Sequence, residues 1–500
     1  MKEMTNEMLK QYDDLFETKK NEILNAKDEI VIKGVSYYVS NAGDDNNDGK
    51  TPETAWKTLN RVSKAYLNPG DGVLFNRGDL FRGTVATKPG VTYAAYGEGE
   101  KPKFYANNKS LADASLWELY NEEKNIWKCT EKMRDPGTIV FNDGEAHSRK
   151  LIPSYRDLQF VCRDDESKLF VIENEMTQDL DVFWYYDTLL TRHPSKGEDF
   201  LIPDTNHGEL LGDIYLRCDK GNPGEVYNEV ESVAALNMFC VGGNANVTID
   251  NLCIKYVGRH GVSAGGHSVG LHVTNCEFGW IGGSIQNYFG TDPNYPEGRR
   301  GSVTRYGNAI EIYGGCEDYV AANNYIYEVY DAGITHQVTT STKRTMTGIR
   351  YTGNVIEKCV YGIEYFLDQI NGERESYMDD VVMNDNFIRL SGYGWGQQRH
   401  NTHTPALIKG WSYVNTARNY TIENNIFDRC AYRMLHLVSL KDEYRPVMNG
   451  NTYIQNIGGM IGQIGANEVK EPDVEIFDEA AEEKINNIFG DKTAEVYVIR

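Results

Sequence analysis

The sequence has no long hydrophobic run. No stretch reaches the roughly 18 consecutive apolar residues that a membrane-spanning helix needs. The first residues, Met1 to Glu7, also lack the apolar core of a secretory signal. These absences predict a cytoplasmic chain that has no membrane partner.

Basic residues are scarce. The sequence has 51 lysines and arginines against 73 aspartates and glutamates, which gives a formal net charge of −22. A surface of this sign repels polyanions and disfavours binding to nucleic acid or anionic lipid. We therefore expect no nucleic-acid partner, and a neutral or cationic ligand fits the charge better.

Paired cysteines are missing as well. The nine cysteines are odd in number and form no CxxC pair, which argues against a disulfide framework and against a zinc cluster. We expect reduced, mostly buried thiols.

A possible metal site is incomplete. Asp44, Asn46, Asp48 and Gly49 match the first half of a calcium-binding loop, but Ala55 stands where the bidentate glutamate belongs. The segment is better explained as a turn rich in Asn and Asp, so the sequence predicts neither a metal nor another cofactor.

A repeat is present between Asn246 and Ile464. Each copy has an Asn followed by apolar residues, and about six residues later a Gly-apolar step. Clear copies begin at Asn251, Asn324, Asn354 and Asn386. Their irregular spacing is typical of a parallel β-helix, whose coils accept loops of any length at one corner.

The repeat predicts an all-β solenoid with a defined register. We expect Asn251, Asn354 and Asn386 to stack at one turn, and Ile310, Ile334 and Ile363 to form one inward column.

The predicted organisation has three parts. An amphipathic helix within residues 1–29 is expected to cap the first coil. The β-helix spans residues 30–465 and carries a β-rich insertion at about 101–231, and residues 466–500 form a C-terminal capping tail.

Several segments resemble a known superfamily. The sequence is similar to right-handed parallel β-helix carbohydrate-active enzymes of the pectin-lyase-like superfamily in Tyr37–Ser40, Gly43–Gly49, Trp56–Leu59, Pro69–Asp71, Phe75–Asp79, Gly221–Tyr227 and Asn308–Tyr313. Within it, the chain looks most like glycoside hydrolase families 136, 120 and 141. The resemblance implies a right-handed parallel β-helix that cleaves neutral oligosaccharides, or glycans containing fucose or xylose.

Carboxylates recur on one predicted face. Alignment of the copies on the Gly-apolar step places these residues in one outward column: Ser263, Glu311, Thr335, Glu364 and His436. Asp331 lies at the edge of that face, and Asp368 lies just past the strand. The catalytic candidates are therefore Asp331, Glu364, Glu311 and Asp368.

Glycosidic hydrolysis needs two carboxyl groups, roughly 5 to 5.5 Å apart in retaining enzymes and roughly 6.5 to 9.5 Å apart in inverting ones. Asp331 and Glu364 belong to consecutive copies, which favours retention. We assign Asp331 as nucleophile and Glu364 as acid/base, although the roles can be reversed. The aromatic surroundings, Tyr330 and Tyr365 among them, are expected to raise one pKa.

Other residues are predicted to contact the sugar. His336 and Gln337 follow Asp331 closely and are expected to bond sugar hydroxyls or to orient that carboxylate. Side chains that shape or line the same groove are Tyr330, Tyr365, Trp395, Arg399 and His400.

Two alternatives remain open. A polysaccharide lyase of the β-helix class needs a basic residue and a cationic patch, for which Arg399 with His400 is the candidate. A non-catalytic glycan-binding β-helix would need the aromatic residues without the carboxylates. The expected partner in each case is an oligosaccharide, and a homo-oligomer is possible through the insertion.

Overall fold

The structure is a computed structural model. It describes residues 1–151, 182–186, 190–192, 200–203, 211–289, 303–371, 375–399, 404–411 and 416–500. Its α-helices are α1 Asn6–Leu24, α2 Leu59–Lys64, α3 Pro223–Val226 and α4 Ala481–Lys484. Short 3-10 helices span Pro52–Thr54, Ala114–Leu116, Asn142–Gly144, Trp395–Gln398 and Asp442–Tyr444, and a π-helix spans Ile485–Phe489.

Strands make up most of the regular structure. The first strands are β1 Lys2–Glu3, β2 Ser36–Val39, β3 Gly72–Asn76, β4 Leu80–Arg82, β5 Val85–Ala86, β6 Thr92–Tyr96 and β7 Lys103–Tyr105. The next are β8 Trp117–Asn121, β9 Ile126–Cys129, β10 Pro136–Phe141, β11 Ala146–His147, β12 Arg149–Leu151, β13 Val182–Tyr186, β14 Leu190–Arg192, β15 Phe200–Pro203, β16 Asp213–Arg217 and β17 Val230–Ala234.

The repeat region continues this series. Its strands up to residue 369 are β18 Phe239–Gly242, β19 Thr248–Asp250, β20 Cys253–Val257, β21 Val262–Thr274, β22 Glu277–Ile281, β23 Ser284–Phe289, β24 Val303–Tyr306, β25 Ile310–Ala322, β26 Tyr325–Val329, β27 Ala332–Thr340, β28 Thr345–Thr352, β29 Val355–Glu357 and β30 Tyr361–Gln369. The last strands are β31 Tyr377–Asn384, β32 Phe387–Ser391, β33 Ala406–Gly410, β34 Ala417–Glu423, β35 Ile426–Cys430, β36 Arg433–Ser439, β37 Val447–Asn449, β38 Thr452–Asn456, β39 Met460–Ala466, β40 Glu475–Ile476 and β41 Glu495–Ile499.

Three rows of parallel strands organise the chain. Row 1 is β5–β18–β21–β25–β27–β30–β33–β36–β39. Row 2 is β2–β3–β6–β19–β21–β25–β28–β31–β34–β37. Row 3 is β4–β7–β20–β22–β26–β29–β32–β35–β38–β41–β1. The long strands β21 and β25 contribute to rows 1 and 2, so these two rows form one sheet.

The predicted inward column is confirmed. From β27 onward the chain passes through rows 1, 2 and 3 in turn, and the core lies between them. Ile310 pairs with Ile334, which pairs with Ile363, and all three are fully buried in the main hydrophobic cluster. Alternation of side chains along each strand therefore sends their neighbours Glu311, Thr335 and Glu364 to the opposite face.

An asparagine ladder joins rows 2 and 3. Its members, one per repeat, are Asn324, Asn354, Asn386, Asn425 and Asn451. In each step the side-chain oxygen of the later Asn accepts hydrogen bonds from the backbone and side-chain N–H groups of the earlier one, at 2.9 to 3.0 Å. The ladder thereby satisfies buried polar groups at a corner that must turn in every repeat.

The prediction that Asn251 belongs to this ladder is wrong. Strand register aligns Asn324 with Cys276, whose backbone N–H donates to the Asn324 side chain, and with Leu252 one repeat earlier. Asn251 precedes the ladder position and has a φ of 60°, as Asn275 does at 53°. Both occupy the left-handed conformation that Asn tolerates better than most residues.

Helix α1 lies along the outside of row 3 and does not cap the first coil as predicted. It begins after Thr5, whose side chain accepts a hydrogen bond from Met8 N–H. Its Phe16 is fully buried against Tyr325 and Phe387 on the outward side of row 3. The apolar stripe of the helix covers these aromatic rings. In the described residues, no helix is long and apolar enough to span a membrane.

The segment predicted as an insertion is rich in strands. A five-stranded sheet with the order β12–β13–β16–β9–β8 forms there, mostly antiparallel. A second small sheet joins β14, β15, β23 and β24. Strands β10 and β17 pair antiparallel and link the insertion to row 3.

The C-terminal residues complete the far end of the core. Side chains after residue 466 that are buried in the main cluster are Phe477, Ala481, Ile485, Phe489, Val496 and Val498. Strand β41 extends row 3, and the Asp491 carboxylate accepts hydrogen bonds from the last ladder residue, Asn451.

The cysteines contribute to packing. The eight described cysteines are free, and all but Cys240 are buried; Cys162 lies outside the described residues.

Candidate active site

One column of polar side chains runs along the outward face of row 1. Paired register places its members in the order Ser263, Glu311, Thr335, Glu364, Lys409, His436 and Gln463. We call this set the site column. The predicted alignment of its members is confirmed, and Lys409 and Gln463 are additions.

The environment of Glu364 favours its protonated form. Only 5% of the residue is exposed, and in the described part of the chain no cation lies within ion-pair distance of it. Burial, and next the charge of Asp331, raise the pKa of Glu364 to about 8. The Trp411 indole N–H donates to the Glu364 carboxyl at 2.6 Å and partly opposes that rise.

Asp331 has a different environment. It lies at the turn that enters β27, and its carboxylate forms an ion pair with Arg399. Burial raises the pKa of the Asp331 carboxyl, while the adjacent Arg399 guanidinium opposes the rise. Two buried carboxyls therefore interact across this face, and the one beside a cation is the better able to stay ionised.

Glu311 is oriented by two residues that the sequence did not single out as site residues. The Asn308 side-chain amide donates to its carboxylate, and His260 Nδ1 lies 2.8 Å from Glu311 Oε2. The Asn308 side-chain oxygen also accepts a hydrogen bond from Ala332 N–H, which links Glu311 to the strand that follows Asp331. His260 and Asn308 come from segments that precede the strands of row 1, so the repeat pattern could not identify them.

Several buried polar atoms around these carboxylates have no hydrogen-bond partner among the described residues. They are Thr335 Oγ1, Gln337 Oε1, Arg399 Nε and His436 Nε2. A buried polar group without a partner is costly, and such groups in one region indicate a ligand that offers both donors and acceptors. Sugar hydroxyls have this property.

Aromatic rings lie on the same outward face, two residues beyond the site column. Tyr313 aligns with Gln337, which aligns with Phe366. Tyr313 is 45% exposed, and its ring packs edge-to-face on Phe366 at 6.4 Å. Together with Trp411, these rings provide flat apolar surface beside the carboxylates.

Two predicted sugar contacts are wrong because their side chains point inward. His336 follows Thr335 and is fully buried, with its Nδ1 2.9 Å from the Tyr351 hydroxyl. Tyr365 follows Glu364 and stacks on His336 with ring centroids 5.4 Å apart. Burial lowers the pKa of His336 to about 3, so it stays neutral in the core. Arg399, not His336, orients Asp331.

Tyr330 and Trp395 are also structural. Tyr330 is 1% exposed, and the Arg305 guanidinium lies 4.2 Å from its ring centroid. Trp395 is 2% exposed and donates its indole N–H to the backbone oxygen of Glu328. Neither ring is available to a sugar, which corrects the prediction for both.

The remaining predicted residues have mixed outcomes. Gln337 lies on the outward face next to the site column. Asp368 is on the same face as Glu364, but four residues further along β30, about 13 Å away by strand rise. His400 lies outside the described residues.

The turn that resembles a calcium loop uses its carboxylates internally. Asp44 accepts from Asn46 N–H, and Asp48 accepts from Lys50 N–H and the Thr54 hydroxyl. In the described ranges, no group of three or more His, Cys, Asp or Glu side chains is placed to hold a metal ion.

No family model matches the chain, and no curated protein matches it at a significant level. Among solved structures it is similar to the GH136 lacto-N-biosidase from Eubacterium ramulus, with 14% identity and a TM-score of 0.36 over 99% of this chain and 71% of that one. It is also similar to XylC in complex with xylose, with 11% identity and a TM-score of 0.38 over 93% of this chain and 83% of that one.

Proposed function

We propose that the three rows form a right-handed parallel β-helix. In support, the chain visits rows 1, 2 and 3 in a fixed order through several repeats, and every pairing within a row is parallel. Crossover connections between parallel strands are right-handed in about 98% of cases.

We further propose that the chain is a glycoside hydrolase whose reaction takes place at Asp331 and Glu364. Glu364 protonates the glycosidic oxygen as the bond to the anomeric carbon breaks, and the Asp331 carboxylate attacks that carbon to form a glycosyl-enzyme. The Glu364 carboxylate then takes a proton from water while the water oxygen attacks the anomeric carbon, and the bond from that carbon to Asp331 breaks. Both Glu364 and Asp331 end in their starting states.

The observation that carries this proposal is the unequal environment of two interacting carboxyls. Asp331 contacts Arg399, while burial and the charge of Asp331 raise the pKa of Glu364 to about 8, which favours its protonated form at neutral pH. Retaining glycosidases need one ionised nucleophile and one protonated acid. The unpartnered polar atoms and the outward aromatic rings of row 1 suit an oligosaccharide as the substrate.

A polysaccharide lyase is the second candidate. It is favoured by Lys409, one repeat beyond Glu364, because burial lowers the pKa of Lys409 to about 8 and makes it a possible base. Arg433 lies close enough to contribute to that shift. A lyase would leave an unsaturated sugar at the product's non-reducing end, whereas a hydrolase would not.

A substrate screen tests the proposal and separates the candidates. The protein is incubated with nitrophenyl glycosides and with oligosaccharides that do or do not contain uronic acids. Nitrophenol and new reducing ends are measured beside absorbance at 235 nm. We expect hydrolysis without 235 nm absorbance, and activity that falls as pH rises through about 8, because Glu364 must be protonated. Absorbance at 235 nm on uronate substrates alone would replace the hydrolase with the lyase.

A further inference from the structure

A cationic cluster follows the carboxylates along row 1. Lys409 is next to Glu364 in the site column, and His436 is next to Lys409. Arg433 begins β36, and its Nη1 lies 2.7 Å from His436 Nδ1. Arg433 also donates to the side-chain oxygen of Gln463. Lys409 and His436 therefore lie about 4.8 and 9.6 Å from Glu364 by strand spacing.

Lys409 and Arg433 are not neutralised by carboxylates of the described residues. Within the ranges that the structure describes, neither Lys409 nor Arg433 has a carboxylate within ion-pair distance, although Glu364 and Glu471 act on Lys409 from further away. Lys409 is only 4% exposed. Two of the three other buried lysines in the described residues have carboxylate partners: Lys150 pairs with Asp135, and Lys255 pairs with Asp143 and Glu277. The third, Lys101, donates to the side-chain oxygen of Asn251. A buried cation without a counter-charge is costly, so its retention points to an anion from outside.

His436 adds a donor to this cluster. Its Nδ1 accepts hydrogen bonds from Arg433 and from Lys409 Nζ at 3.2 Å, which places the ring proton on Nε2. His436 is 5% exposed, and its Nε2 has no partner among the described residues. Arg433 Nε is also without one. The cluster therefore presents donors only, and a ligand that fits it must offer acceptors.

We propose that Lys409, Arg433 and His436 form a subsite for an anionic group on the substrate, a carboxylate or a sulfate ester carried by a sugar near the bond that is cleaved. Its place beside a cleaved bond rests on the proposed hydrolase function, whereas anion binding itself does not. The net charge of −22 favours a neutral or cationic ligand, and the proposed subsite differs from that expectation at one place. Trp411, whose ring centroid lies 4.2 Å from Lys409 Nζ, provides an apolar face next to it.

Equilibrium binding tests the subsite without requiring turnover. Isothermal titration compares methyl β-glucuronide, glucose 6-sulfate, methyl β-glucoside and inorganic sulfate on the unmodified protein. We expect at least one anionic sugar to bind ten-fold or more tightly than methyl β-glucoside, and the preferred one identifies the carboxylate or the sulfate ester. Equal or absent binding of the anionic and neutral sugars overturns the proposal. So does binding of inorganic sulfate as tight as that of the sulfated sugar, because the sugar ring would then contribute nothing.

Variants locate the binding. Lys409→Met and Arg433→Met should each remove most of the preference for the anionic sugar, and the conservative Arg433→Lys should retain part of it. Lys441→Met is the matched control, since Lys441 is an exposed lysine just beyond β36. A preference that persists in both Met variants would place the anion elsewhere. Anion binding without hydrolysis would support the subsite and contradict the hydrolase function. Hydrolysis without a preference for anionic sugars would support the hydrolase function and contradict the subsite.

Discussion

Two arrays of buried polar side chains repeat along this molecule with the same spacing, and they differ in how their hydrogen bonds are satisfied. In the asparagine ladder, each amide bonds to the next, and the last one bonds to Asp491. In the site column and the residues beside it, Thr335, Gln337 and His436 each keep a polar atom without a partner among the described residues. An array whose hydrogen-bonding groups are all paired stabilises a fold. An array that contains charges and unpaired hydrogen-bonding groups is suited to binding a ligand. The ladder therefore serves structure, and we infer that the site column serves binding and catalysis.

Substitution of the two carboxyls should have the largest effect. Glu364→Ala should lower turnover of a natural oligosaccharide about 10²- to 10⁴-fold, the range that a general acid contributes. It should retain more activity on an activated aryl glycoside, with partial rescue by azide, because a good leaving group needs no acid. Asp331→Ala should be inactive on both substrates. Steady-state kinetics measures these effects.

The control for these variants is Asp380→Ala. Asp380 is an exposed carboxylate in row 2 that pairs with Arg350, and its loss should leave turnover unchanged. Near-normal turnover of the natural substrate by Asp331→Ala or Glu364→Ala would remove that residue from the mechanism and bring Glu311 forward.

Substitution of a residue of the asparagine ladder should lower the stability of the fold without changing the site column. Asn386→Ala removes the oxygen that accepts from Asn354 and the amide that donates to Tyr351 and Asn425. Because buried donors and acceptors lose their partners, we expect the free energy of unfolding to fall by about 3 kcal/mol. Urea denaturation measures it. The control Asn456→Ala, an exposed position in β38, should change it by less than about 0.5 kcal/mol. A similar small change for Asn386→Ala would show that the ladder contributes little.

The smallest expected effect is the change in stability on substitution of Thr335 in the site column. Thr335→Val keeps the shape of the side chain and removes a buried hydroxyl that has no partner among the described residues. Stability should stay the same or rise by up to about 1 kcal/mol, in contrast to Asn386→Ala. The same urea titration tests this. A loss of more than about 1 kcal/mol would mean that the hydroxyl is satisfied within the fold.

Side-chain alternation predicted the register of row 1 correctly. The spacing of Ile310, Ile334 and Ile363 was enough to align Glu311 with Glu364. The same alternation, carried one residue further, places His336 and Tyr365 inside, as the structure shows. Asn251 was assigned wrongly because an Asn also occupies the left-handed position just before the ladder.

Other features depend on contacts that no local pattern reveals. Lys409 was missed because Ala406-Leu407-Ile408 lacks the glycine on which the copies were aligned. The ion pair of Arg399 with Asp331 joins residues 68 positions apart through a loop. The sequence predicts that helix α1 is amphipathic, but its position on row 3 depends on the rings of Tyr325 and Phe387, which come from two separate repeats.

The protonation state of Glu364 is the point on which the proposed mechanism depends most directly. Carbon-13 NMR of protein labelled at the glutamate carboxyl carbons can follow its titration, with Glu364→Gln assigning the signal. Because burial and the charge of Asp331 raise this pKa, we predict a midpoint near 8, with the group protonated below it. A midpoint near the ordinary glutamate value of about 4.3 would leave Glu364 ionised at neutral pH and contradict its role as the acid.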